Sequence, residues 1–186
     1  LFTEARSHSV WQDRPVTDEL LKSVYALMKW GPTSANSSPG RIVFVKSDAA
    51  KERLLACVGA GNLDKVRTAP VTAIIAMDMR FFDKLPQLFP HTDARAWFSG
   101  NEPLIQATAF RNSSLQGAYL MLAARAMGLD CGPMSGVDAA KLAASFFAGT
   151  DRNSNLLVRQ GCGVRQARHH RRTASPLHQR SSTAPS

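Results

Sequence analysis

The stretch GPTSANSSPGRIVFVK, residues 31–46, carries an amphipathic helix into an apolar strand through a run of small hydrogen-bonding residues. Upstream, TDELLKSVYALMKW sets Leu21, Val24, Tyr25 and Met28 on one face at helical spacing, and Gly31 with Pro32 ends the helix. Downstream, Ile42, Val43, Phe44 and Val45 form the short apolar run of a buried strand. Between them Thr33, Ser34, Asn36, Ser37 and Ser38 offer hydroxyls, an amide and backbone N–H groups that can coat a polar ligand lying against the strand's edge. An ordinary Ser/Asn-rich turn is the competing reading of the same residues.

Working outward, the hydrophobic pattern predicts helices over 17–30, 48–58, 102–127 and 138–147, and strands over 41–46, 71–77 and 155–159. That order suits a sheet with helices packed around it. The longest helix carries Leu104, Ala107, Leu115, Ala118, Tyr119, Leu122 and Ala126, a broad apolar face fit for a core or a subunit interface.

The chain has 186 residues, enough for one domain with one core. No apolar run approaches the ~18 residues needed to span a bilayer, and LFTEARSHS lacks the basic flank and apolar centre of a signal peptide, so a cytoplasmic protein is expected. Cys57, Cys131 and Cys162 give neither a disulfide framework nor metal-ligand spacing, and no metal is expected. The net charge of +9 and pI of about 10.1 raise nucleic-acid binding as an alternative function. Six arginines from Arg159 onward, with no Asp, Glu or Lys, supply +6 of that charge, which leaves the body nearly balanced and argues against nucleic acid as a partner.

Past Val158 the composition shifts abruptly. RQGCGVRQARHHRRTASPLHQRSSTAPS is biased to Arg, His, Ser, Thr and Pro with almost no apolar periodicity, so residues 1–158 are expected to form the domain and 159–186 a basic tail, disordered or produced by a shifted reading frame. The chain also opens on Leu1 rather than Met, and an earlier start is expected.

Several motifs together resemble the nitroreductase family of flavin enzymes. Pro32, Thr33, Asn36 and Pro39 match its helix-to-strand loop, Arg6 its early arginine, and Ala69 with Pro70 the opening of an apolar strand. The long helix ending in RAMGLDCGPMSGVD matches as well, and the resemblance covers residues 1–158. LPQLFPHTDARAWF and TAFRNSSLQGAYL are similar to one branch, the malonic semialdehyde reductases of pyrimidine breakdown and their NADH dehydrogenase/NAD(P)H nitroreductase relatives. The resemblance implies an α+β fold with a central, mostly antiparallel sheet surrounded by helices, a homodimer with FMN at its interface, and NADH or NADPH as electron donor. The acceptor it implies is a small carbonyl, nitro or quinone compound.

It also implies site residues. FMN carries a doubly charged phosphate, which calls for Arg and hydroxyl partners. Arg6 stands at the family's phosphate position, and His8 stands where the family has Ser. Thr33 and Asn36 belong to the loop that faces the flavin. Pro133, Met134, Ser135 and Gly136 match the segment whose backbone lies along the isoalloxazine edge, with Ser135 where many members have Glu. The loop of residues 85–98 sits where the family hangs a cover; there Arg95 could hold a substrate carboxylate and His91 donate a proton. Flavin hydride transfer needs no side-chain nucleophile, so no catalytic side chain is expected. A Ser hydrolase is disfavoured because GxSxG is missing, and a Rossmann site because Gln166 stands where the third glycine would be.

Overall fold

Val71–Asp78 (β2) has the sequence VTAIIAMD, a run of apolar and β-branched residues that is buried from end to end. In the computed structural model, which describes residues 1–164, β2 pairs antiparallel with Gly40–Val45 (β1) on one side and with Arg152–Gly161 (β4) on the other. Asp130–Met134 (β3) pairs antiparallel with β4 and completes the order β1-β2-β4-β3. The expected α+β fold with a central antiparallel sheet is therefore present. The register places Gly40 opposite Met77 and Cys131 opposite Gln160, so the start of β1 and the body of β3 lie on opposite edges.

Helices cover both faces. Asp18–Met28 (α1), capped by the Thr17 hydroxyl, and Glu102–Ala126 (α5), capped by Asn101, bury Leu21, Val24, Leu120 and Ala124 against Ala73, Ile75 and Val158. Asp48–Leu55 (α2), Leu63–Arg67 (α3) and Ala139–Phe146 (α6) bury Leu54, Val66 and Leu142 against Ile74 and Leu157 on the other face. A third cluster gathers Met77, Phe81, Leu85 and Phe98 with Ile105 and Ala109; its covering segment includes Leu85–Leu88 (α4) and the 3-10 turns Phe81–Lys84 and Ala94–Trp97. Among the described residues no helix is long and apolar enough to cross a membrane.

Three expectations change. Residues 130–134 form a strand that the pattern did not show, because Gly132 and Pro133 are poor strand formers and only an edge position tolerates the proline. The last strand starts earlier than expected and runs through the boundary at residue 158, with Arg159 and Gln160 buried within it. The apolar face of the long helix, expected to suit a core or a subunit interface, is split: Tyr119 packs against the core cluster. Leu104 and Leu115 are exposed, and the helix buries Ile105, Ala109, Asn112, Gln116 and Leu120 instead. From Arg165 onward the expected tail lies outside the described residues.

Candidate functional site

The loop between α1 and β1 stores backbone strain. Ala35, Asn36 and Ser38 have φ of 49°, 48° and 40°. Such left-handed values cost a non-glycine residue roughly 1–2 kcal/mol each. A stripe along α5 holds the loop there. The Asn112 side-chain oxygen accepts the Ser34 N–H at 2.8 Å, that of Gln116 accepts the Gly40 N–H at 2.6 Å, and the Tyr119 hydroxyl donates to the Pro32 carbonyl at 3.2 Å. From the sheet side, the Arg41 guanidinium donates to the Ser38 and Gly40 carbonyls, each at 2.9 Å, and pairs with Asp78 at 2.6 Å. Within the loop the Thr33 hydroxyl oxygen accepts the Ser38 N–H at 3.0 Å. Asn36 is exposed, and its amide donates to the Leu88 carbonyl at 3.0 Å, tying the loop to the covering segment.

At the opposite edge, the N-terminal segment runs parallel to β3 through a Ser7–Cys131 bridge, and the His8 N–H donates to the Cys131 carbonyl at 3.0 Å. Arg6 is half-buried and donates to the Thr3 and Ala5 carbonyls of its own segment, each at 2.9 Å. His8 is buried. Its Nε2 lies 3.4 Å from the Asp130 carboxylate, which also accepts the Gly163 N–H at 2.9 Å. Any side chain at position 163 would run into the imidazole, so the close approach requires glycine. Burial pushes the Cys131 thiol up to about 12, which leaves it protonated and inert.

Pro133 and Met134 end β3, and Ser135 and Gly136 form the exposed turn beyond it. This turn sits over the α2–α3 connection: the Gly59 N–H donates to the Gly136 carbonyl at 3.3 Å, and the Asp138 N–H to that of Cys57 at 2.8 Å. Asn62 crowds the turn, its amide nitrogen 2.6 Å from where a Cβ on Gly136 would stand. The Lys65 ammonium donates to the Asn62 side-chain oxygen at 3.3 Å. Asn62 lines a 580 Å³ cavity with Cys57, Ser135, Gly136, Asp138 and Lys141, and Lys65 bonds it from behind. Sequence reasoning passed over Asn62 and Lys65; the signal was GAGN, a backbone-permissive stretch opening a short helix.

In the covering segment, Arg95 pairs with Asp83 at 3.0 Å, and the same carboxylate meets Arg80 at 2.7 Å. His91 is exposed and meets Phe89 edge-on at 5.4 Å between ring centroids. One chain does not bring all these groups together. Thr33 and Asn36 precede β1 on the face covered by α5, whereas Arg6 and residues 133–136 flank β3, with the Ser135–Gly136 turn over the other face. At ~4.8 Å between strands and ~3.3 Å per residue, the start of β1 is roughly 14 Å across the sheet from β3, about 20 Å along it from Cys131 and about 10 Å along it from Met134.

With the fold and both clusters described, comparison with known proteins places the chain. The nitroreductase family model matches residues 3–163. A Burkholderia lata protein provisionally named NADH dehydrogenase/NAD(P)H nitroreductase is 63% identical over 163 residues, spanning 88% of this chain and 84% of the relative. A similarly named protein of Polynucleobacter asymbioticus is 61% identical over 163 residues, spanning 88% and 83%. The chain belongs to the nitroreductase family, a family of oxidoreductases. The fold agrees with solved structures. A provisionally assigned Bacillus subtilis nitroreductase superposes with a TM-score of 0.83 at 21% identity, over 94% of this chain and 92% of that one. A provisionally assigned Exiguobacterium sibiricum nitroreductase in complex with FMN gives 0.77 at 20% identity, over 93% and 90%.

Proposed function

We propose that this chain is a cytoplasmic FMN-dependent NAD(P)H oxidoreductase that works as a homodimer. The observation that carries the reading is the donor set around the turn after β3. Asn62, bonded by Lys65, crowds Gly136, and Arg6 lies on the segment paired with the same strand, about five residues or ~17 Å from the turn. This set fits an elongated, anionic ring compound: amide and ammonium donors for ring oxygens at one end, a guanidinium for phosphate at the other. The name of the Exiguobacterium sibiricum structure supports the same choice of cofactor.

FMN, held by these residues, would supply the hydride chemistry that links NADH or NADPH to the acceptor. The protein's part is to bind and orient. Arg6 holds the phosphate, with His8 shaping the strand beneath it. Residues 133–136 present backbone along the ring edge, with Asn62 and Lys65 beside them. Thr33 and Asn36, at the far corner, reach the ring of a second copy. That division makes a homodimer necessary. The exposed apolar stripe of α5, with Leu104 and Leu115, supplies a dimer surface.

The acceptor is a small carbonyl, nitro or quinone compound, and we favour reduction of malonic semialdehyde to 3-hydroxypropionate. Arg95 and His91 are its proposed contacts, Arg95 only after exchanging Asp83 for a substrate carboxylate. We further propose that residues 1–158 carry the native domain and that a shifted frame replaced the native residues of the tail downstream of β4 and of the family match, which run on to residues 161 and 163. In support, Arg159 Nη1 and both amide atoms of Gln160 are buried with no partner among the described residues. The test of function is an absorption spectrum. The purified chain should be yellow and release FMN on denaturation, whereas a colourless protein that cannot be reconstituted with FMN overturns the reading. Sequencing around the Val158 codon tests the frame, since adding or removing one base should restore a Gly-rich turn and a basic segment.

A further inference from the structure

We propose that Asn112 and Gln116 are positioning residues of the flavin site, holding the loop of residues 32–40 in the conformation that presents Thr33 and Asn36. The inference rests on the reading of that loop as a flavin contact. Both side chains are buried in line with Ile105, Ala109, Leu120 and Ala123, on a helix side that also buries the small polar residues Thr108 and Ser113, and apolar residues at 112 and 116 would pack there without needing partners. Each instead supplies an oxygen to a loop N–H: Asn112 to Ser34, and Gln116 to Gly40. Asn112 is oriented for this, since its own amide nitrogen donates to the Thr108 carbonyl at 2.9 Å and leaves its oxygen facing the loop. The Gln116 carboxamide comes so near Gly40 that a Cβ there would stand 2.6 Å from its Oε1 and 3.0 Å from its Cδ. Between these two anchors lie Ala35, Asn36 and Ser38, all at positive φ. Thr33, Arg41 and the Asn36–Leu88 bond also hold the loop, but Ala35 and Ser38 have no side chain suited to the left-handed region, so the two flanking anchors carry much of its strain.

Oxygen is the atom that matters, so the conservative and disruptive variants separate. Gln116→Glu keeps an acceptor at the same reach; Gln116→Met keeps the volume and removes it. Titration of the full-length apoprotein with FMN, followed by fluorescence, should show Gln116→Met weakened about 10-fold or more and Gln116→Glu near wild type. Amide exchange at Gly40 should quicken in Gln116→Met alone. Asn112→Leu provides a second, independent anchor should Gln116→Met fail to fold, with faster exchange expected at Ser34 and the same weakening of FMN. If wild type binds FMN and both disruptive variants bind it equally well while the loop amides exchange faster, the positioning role is wrong and the cofactor reading stands. If wild type takes up no FMN, the cofactor reading fails first and this inference falls with it.

Discussion

Gln160 places a primary amide between Val71 and Cys131, its cross-strand neighbours, with no exposure to solvent and neither amide atom paired among the described residues. Leaving such a group without hydrogen bonds costs about 1–3 kcal/mol. Gln160→Leu should therefore raise the melting temperature, by about 2–4 °C for each kcal/mol recovered in a chain of this size. An unchanged or lower melting point would show that the amide is hydrogen-bonded in the folded protein. Arg6 is the opposite case: a half-buried cation bonded, among the described residues, only to the carbonyls of its own segment, and so available to an anion. A charge-assisted bond to phosphate contributes about 1.5–3 kcal/mol, so Arg6→Ala should weaken FMN binding about 10- to 150-fold with the far-UV spectrum intact. An equal dissociation constant in the variant would return Arg6 to the role of a solvated surface charge.

At the scale of elements, β3 ties the proposed phosphate segment to the sheet, and Gly132 is where the two meet. A side chain there would collide with the His8 carbonyl and approach the Arg159 guanidinium to 2.8 Å. Gly132→Val should therefore push the N-terminal segment off the strand, seen as faster exchange of the His8 amide, which is bonded to Cys131. Retained protection would show that the segment is held elsewhere. The same strand shows where sequence reading stops. β2 was legible because eight buried residues in a row leave little choice, and the helix ends because Thr17 and Gly31 punctuate them. DCGPM was legible only as a matched motif, since its strand character comes from pairing with β4 and not from its residues. On α5 the pattern showed a real apolar stripe but could not say which side meets the core, because Asn112 and Gln116 bury polar groups for the sake of the loop. Asn62 went unread because only the fold brings it to Gly136, and Lys65 because its role is to bond Asn62.

For the whole molecule, the proposed homodimer would join the two clusters from opposite edges of the sheet in one pocket. Light scattering should give a mass twice the 20.2 kDa of the chain. Leu115→Glu, which sets a charge in the exposed stripe of α5, should yield monomers that no longer retain flavin. A Leu115→Glu chain that remains dimeric would move the interface to another surface. Where half of each pocket comes from each chain, cofactor affinity is not a property of one polypeptide. Mass action couples it to protein concentration: dilution into monomers dissolves both pockets, and FMN in excess pulls the chains back together. Titrations run at nanomolar and at micromolar protein would then report different apparent constants for the same site. The flavin would act as a ligand that stabilises the assembly as well as the reagent it carries.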